Sequence, residues 1–287
     1  MCCAVATFSC LDTTAKYLVH YIDPLQVLWA RYTFAFLCAI IYLNPFKYPG
    51  MMVTQRPILQ IGRSLLLVGS SAFNFFVVKY LQLDEALAIL FVTPFLVALL
   101  SGPILGERVG LHRWIAIGVG FLGVLVVLRP GAGGLHWAAG LSLCGAVCYT
   151  FYAIATKLLA RTDSTETTTF YANMVGAVVM APIVVFVWTT PPNFFIGFLM
   201  AITGFFGGFG HYLLVCGHRL APASTLSPFI YTQMIWTSTL GFLVFGDIPH
   251  KWTIVGSAIV VGSGLYLLHQ ERRVGKATSA DGDEDAK

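Results

Sequence analysis

Charge is what this chain has least of. Only 10% of its 287 residues are Asp, Glu, Lys or Arg, and 57% are hydrophobic. A soluble domain carries about 25% charged residues. So few polar groups cannot cover a water-soluble globule of this length. The acids are sparse as well: none stands between Glu107 and Asp163. Paired carboxylates for acid–base chemistry are absent from the apolar runs, and no Ser or Cys stands at a defined spacing from a base, which argues against an enzyme. The net charge is only +4, and the basic residues form no stripe among exposed aromatics, so nucleic acid is not an expected partner. Cysteines number seven, an odd count. They form no C-x-x-C pair, which argues against a zinc site and a disulfide framework. Cys10, Cys38, Cys144, Cys148 and Cys216 lie in apolar runs and are expected to be buried small hydrophobes. No phosphate-binding loop is present, and no metal or cofactor is implied.

What is abundant is apolar sequence in blocks of about 20 residues, the length that spans a bilayer. Ten such blocks occur, near 2–21, 25–43, 61–80, 85–104, 112–129, 136–158, 167–188, 196–217, 225–245 and 252–269. Turn chemistry separates them at Asp23-Pro24, Asn44-Pro45, Arg129-Pro130-Gly131, Pro191-Pro192-Asn193 and Ile248-Pro249. The short loops make consecutive spans antiparallel neighbours. The first span contains Asp12 and lacks a basic leader, so it reads as a membrane helix and not as a signal peptide. Residues 271–287 are polar and acidic at the end, and read as a disordered cytoplasmic tail.

Lys and Arg crowd one side. With ten spans, the even loops and the C-terminus hold about twelve of the 17, among them Arg56, Arg63, Lys157 and Arg219; the odd loops hold Lys16, Lys79, Arg129 and Lys251. The positive-inside rule then places both termini in the cytoplasm.

The chain also repeats itself at an offset of roughly 140 residues. LGERVGLHRWIAIGVG (105–120) aligns with FGDIPHKWTIVG (245–256), and Ala15-Lys16 with Thr156-Lys157. Five spans per half is an odd number, so the second half is inverted, an arrangement found in secondary transporters. The stretch LDEALAILFVTPFLVALLSGPILGERVGLHRWIAIGVGFLGVLVVLRP (83–130) has an A…P…L…GE…W…G…G rhythm. With LDTTAKYL (11–18), WARY (29–32) and GRSLLLVGSS (62–71), it resembles the ten-helix drug/metabolite transporter superfamily, EamA type. The resemblance implies a pseudo-twofold basket of helices around a central cavity, as in members that move S-adenosylmethionine, riboflavin or amino acids.

Within 83–130, GVGFLG (118–123) matches the dinucleotide fingerprint G-x-G-x-x-G. It sits inside an apolar run, without the preceding strand or the following acid that such a site needs. Close helix packing is the better reading, for these glycines as for Gly204-x-x-x-Gly208 and Ala258-x-x-x-Gly262.

Ionisable groups within spans are costly and mark function by default. Asp12 lies about 13 Å and Arg31 about 10 Å from the odd-loop side at 1.5 Å per residue, so the two could pair. Lys16, one turn from Asp12, could compete for it. The counterparts Ala153 and Ala172 are uncharged, which makes the pair one-sided. Asn74 and His211 are counterparts in spans 3 and 8. Tyr149, Tyr152, Asn173, Tyr212, Tyr231, Gln233 and Trp236 add polar and aromatic groups nearby. Pro94 and Pro228 sit in spans 4 and 9, where each frees a backbone carbonyl; Thr93 and Ser227 could cap the gaps.

The expectation is an all-α integral membrane protein with ten transmembrane helices as two inverted five-helix repeats, 1–134 and 135–270. It would be a secondary transporter of a small organic metabolite in the plasma (inner) membrane of a bacterium. Asp12, Arg31, Asn74, Pro94, Tyr149, Tyr152, Asn173, His211, Tyr212, Tyr231 and Trp236 are the candidate binding or coupling residues. The partners are the metabolite and the lipid bilayer, and a homodimer stays open. A membrane scaffold or lipid-interacting protein without transport is the alternative, ahead of an intramembrane enzyme.

Overall fold

The computed structural model describes residues 1–43, 49–105, 111–128, 136–160, 162–220 and 229–284. Among the described residues every regular element is a helix. The first half contains α1 (Cys2–Leu18), α2 (Pro24–Leu43), α3 (Pro57–Val77), α4 (Leu83–Leu90), α5 (Thr93–Leu105) and α6 (Leu111–Leu128). The second contains α7 (Trp137–Leu159), α8 (Thr165–Val187), α9 (Phe194–Leu220), α10 (Gln233–Phe245) and α11 (Lys251–Glu284). A short 3-10 turn, Pro49–Met52, precedes α3.

Local chemistry sets the starts. The Leu25 amide donates to the Asp23 carboxylate at 2.8 Å, with Pro24 as first helical residue of α2. The Thr167 amide donates to Ser164 Oγ at 3.1 Å ahead of α8, and the Ile196 amide to Asn193 Oδ1 at 2.9 Å ahead of α9. Pro24–Ile41, Trp137–Leu159, Thr165–Val187 and Phe194–Leu214 are each long and apolar enough to cross a membrane. Phe186 and Phe194 are 88% and 89% exposed, which suits acyl chains and not water.

The helix pairings are symmetric under exchange of the halves. The α1–α9 contact has its mate in α3–α7, and α2–α9 in α3–α8. The α1–α10 contact is matched by α4 and α5 against α7. Three contacts map onto themselves: α2–α8, α4–α10 and α6–α11. This is the pattern of two inverted five-helix repeats around a pseudo-twofold axis.

Glycines permit these crossings. A Cβ on Gly123 would stand 2.9 Å from the Gly256 carbonyl, and one on Gly256 2.6 Å from that of Gly123. A Cβ on Gly120 would meet the Phe95 ring at 2.3 Å. Two of the three glycines of GVGFLG are thus packing sites, while Gly118 faces open space. Gly204 and Gly208 receive α2 at Phe34 and Ala35. Ala258-x-x-x-Gly262 is corrected: both residues point outward, and α11 uses Gly256, Val260 and Gly264 instead.

Other differences have local causes. Span 3 starts at Pro57 and not near 61, because proline suits the first helical turn. Span 4 is divided at Phe91-Val92, just before Pro94, whose missing N–H cannot reach the Leu90 carbonyl. Span 9 turns at Tyr231-Thr232, and the Phe91 and Tyr231 rings meet edge-on at 5.4 Å. These residues are counterparts at the repeat offset of roughly 140, so the two breaks touch across the axis. Thr93 does not cap its gap; its buried Oγ1 has no partner. Ser227 and Pro228 lie outside the described residues. The cysteines are free and none is buried, Cys144 being exposed on an outer helix face. The last helix runs on to Glu284 through the polar segment, since propagating an existing helix costs far less than nucleating one.

Candidate functional site

The polar centre is assembled from α1, α2, α3, α7, α8 and α9. On α2, Arg31 Nη1 donates to Ser71 Oγ of α3 at 2.6 Å, and the Tyr32 hydroxyl meets the same oxygen at 3.1 Å. The Tyr32 ring lies where a Cβ on Gly176 of α8 would be, 2.4 Å away, so only glycine admits it. The Arg31 guanidinium also faces the Phe75 ring at 5.8 Å. On α1, Asp12 accepts from Asn74 Nδ2 at 3.1 Å, one turn along α3 from Ser71.

The expected Asp12–Arg31 ion pair is therefore not made. Arg31 turns to Ser71 and the aromatic rings, and Asp12 is held by Asn74. Lys16 does not compete for Asp12 either. Its ammonium bonds Asp247 at 2.5 Å and covers the Phe245 ring at 4.7 Å. Gly246, in the left-handed region at φ 72°, ends α10 and turns Asp247 toward α1. Asp84, 4% exposed at the start of α4, is a buried carboxylate at this end.

Arg63 is the residue that sequence reasoning misplaced, as a loop charge. It sits 4% exposed in the second turn of α3. Its Nε donates to Thr156 Oγ1 at 2.7 Å, Nη1 to the Thr168 carbonyl at 3.0 Å and Nη2 to the Tyr152 hydroxyl at 3.0 Å. The guanidinium also stacks over the Tyr152 ring at 4.6 Å. The available signal was Pro57: a helix starting there carries Arg63 about 9 Å inward at 1.5 Å per residue.

Arg31, Arg63, Tyr152, Asn173 and His211 line one narrow pocket together with Ala172, the counterpart of Arg31. Its space of ≈ 20 Å³ holds about one water. Asn173 and His211 also line the adjoining cavity of ≈ 340 Å³ between α2, α8 and α9, with Cys38, Phe205, Phe209 and Tyr212. That volume suits a small organic molecule. All the lining residues but Phe205, which lies just short of the middle of α9, belong to the even-loop halves of their helices. The opposite end is shut by an apolar cluster including Val77, Leu83, Ile89 and Ala138, and by the Lys16–Asp247 pair.

Of the sequence candidates, the fold brings Arg31, Tyr152, Asn173, His211 and Tyr212 to this continuous site. Asp12 and Asn74 stand behind it, joined to Arg31 through α3. Tyr149 touches it through the Tyr152 ring at 5.3 Å. Pro94, Tyr231 and Trp236 lie elsewhere. Pro94 is exposed on α5, Tyr231 packs on Phe91 and Gly264, and Trp236 is 43% exposed on the outside of α10. Among the described residues no cluster of three His, Cys, Asp or Glu could hold a metal ion.

Comparison with known proteins fits this geometry. The model of the EamA-like transporter family matches twice, at residues 1–129 and 136–268. The S-adenosylmethionine uptake transporter of Rickettsia prowazekii (strain Madrid E) is 24% identical over 272 residues, 94% of this chain and 91% of that protein. A riboflavin transporter of Rhizobium johnstonii is 24% identical over 283 residues, 95% of this chain and 91% of that protein. A crystal structure aligns over 94% of this chain and 97% of its own at a TM-score of 0.66 and 18% identity, a likeness of fold alone.

Proposed function

Because the chain belongs to the EamA-like transporter family, we propose that it is a secondary transporter that moves an S-adenosylmethionine-like, amino-acid-like or vitamin-like metabolite by alternating access. The chain is a multi-pass membrane protein, and its working halves on this reading are residues 1–134 and 135–270. The observation that carries the proposal is asymmetric access. The ≈ 340 Å³ cavity lies in the even-loop half and runs to a polar tip, while the odd-loop end is latched. With the even loops cytoplasmic, this is an inward-facing state. Exchange of roles between the inverted halves would give the outward-facing one.

In this mechanism Phe205, Phe209 and Tyr212 would hold the apolar part of the substrate. Arg31, Asn173, His211 and Tyr152 would orient its polar end, and Asp12, held by Asn74, would sense occupancy or carry coupling charge. The plasma membrane of a bacterium, with both termini in the cytoplasm, is the proposed location.

Reconstituted protein should show saturable uptake of labelled S-adenosylmethionine or riboflavin into liposomes, at least ~10-fold reduced in a folded His211→Ala variant. Absence of flux for both compounds and for amino acids would count against transport of these classes.

A further inference from the structure

We infer that the polar tip of the cavity is an oxyanion subsite, so that the transported molecule carries a carboxylate or phosphate and places it against Arg31. The inference rests on the transporter reading above and narrows its substrate class.

Two guanidiniums line the narrow pocket, Arg31 at 9% and Arg63 at 4% exposed. Among the described residues no carboxylate lies within 4.0 Å of either. Asp12 feels the charge of Arg31 but makes no ion pair with it, its carboxylate being engaged by Asn74. Two buried positive charges without an ion-pair partner are costly, and an entering anion would remove that cost.

The two arginines differ in what they have left to give. Arg63 has all three nitrogens committed, to Thr156, Thr168 and Tyr152. It contributes field and holds the Tyr152 hydroxyl in place. Arg31 commits only Nη1, to Ser71. Its Nε would lie 3.5 Å from a Cβ on Gly207, a wall of the same pocket that has no side chain in the way. Nε and Nη2 form the edge of the planar fork that binds an oxyanion through two parallel bonds. Asn173 and His211 line the same narrow pocket and also the apolar cavity that adjoins it. The ligand would therefore be amphipathic, with its anion at the tip and its apolar body among Phe205, Phe209 and Tyr212.

The test is a binding measurement with probe pairs that differ only in the anion, on full-length protein in lipid nanodiscs. S-adenosylmethionine is compared with its carboxyl methyl ester, and riboflavin 5′-phosphate with riboflavin. One charge-assisted, two-bond contact predicts about 10- to 150-fold weaker binding of the neutralised member in wild type. The pair that discriminates identifies carboxylate or phosphate as the source. Arg31→Lys should shrink the ratio and Arg31→Gln should abolish it. The wild-type comparison needs no variant, so a misfolded variant does not rescue the idea. Equal affinity within both pairs, or no binding of either anionic probe, overturns the subsite. Liposomes that take up a neutral compound in the same preparation would then leave the transporter reading standing; no uptake of any compound would remove both.

Discussion

Arg63 does at residue scale what no short motif announces. It ties α3 to α7 and α8 through three hydrogen bonds and a ring face. Arg63→Gln should leave buried acceptors without donors, at about 1–3 kcal/mol each, and lower both the melting temperature and uptake. Arg63→Lys should recover only part, because an ammonium cannot reproduce the planar fork; full recovery would show that charge alone matters. Asp163, between α7 and α8, gives a second test. Partial burial would raise its pKa, but bonds from Thr54, Gln60, the Gln55 amide and Thr162 outweigh it and hold the carboxyl below its usual range. A depressed folded pKa means this contribution is complete above the unfolded value, about 3.9, and is lost as pH falls through the folded one. Thermal melts of Asp163→Asn should therefore fall less steeply than wild type between about pH 5 and pH 3. Parallel curves would mean that these bonds do not stabilise the ionised form.

At the scale of elements, small residues and breaks decide how the spans cross. Gly118 and Gly123 belong to one six-residue motif but face different surroundings. Gly118→Ala meets nothing within 4 Å and should be neutral, whereas Gly123→Ala drives a methyl against the Gly256 carbonyl and Val260. The second should cost about 1–3 kcal/mol through overpacking, read as lower thermal stability and yield. Equal behaviour of the two variants would refute the packing account of the α6–α11 crossing. The division of span 4 follows from one missing N–H at Pro94. The equivalent turn at Tyr231-Thr232 brings Tyr231 against Phe91, which is why this tyrosine leaves the cavity for the axis.

For the whole molecule, the question is which end is open. The Lys16–Asp247 pair joins α1 to the end of α10 across the odd-loop end, at side-chain exposures of 10% and 23%. A partly shielded pair of this kind is worth about 1–2 kcal/mol, enough to shift a two-state equilibrium about 5- to 30-fold. Asp247→Asn should raise thiol labelling of a Leu81→Cys reporter, now 8% exposed near that end, by several-fold. Combining Lys16→Asp with Asp247→Lys should bring labelling back toward the starting level. Labelling unchanged by the single variant would mean that the apolar cluster alone holds this end shut.

The ten spans, their inverted repeat and the membrane setting were legible in the sequence. Each follows from short-range quantities: apolar run length, turn residues and the recurrence of matching positions in both halves. Arg31, Asn173 and His211 were legible too, because a polar group within an apolar run is conspicuous. Tertiary structure alone decided the partners. Asp12 took Asn74 and not Arg31, Lys16 took Asp247 from the far end of the chain, and Arg63 was drawn inward between α7 and α8. Helix periodicity fixes which residues share a face, but which faces meet depends on where glycines let backbones close and where prolines divide a span. Those contacts join residues far apart in the chain, and the run of sequence around any one of them does not encode the match.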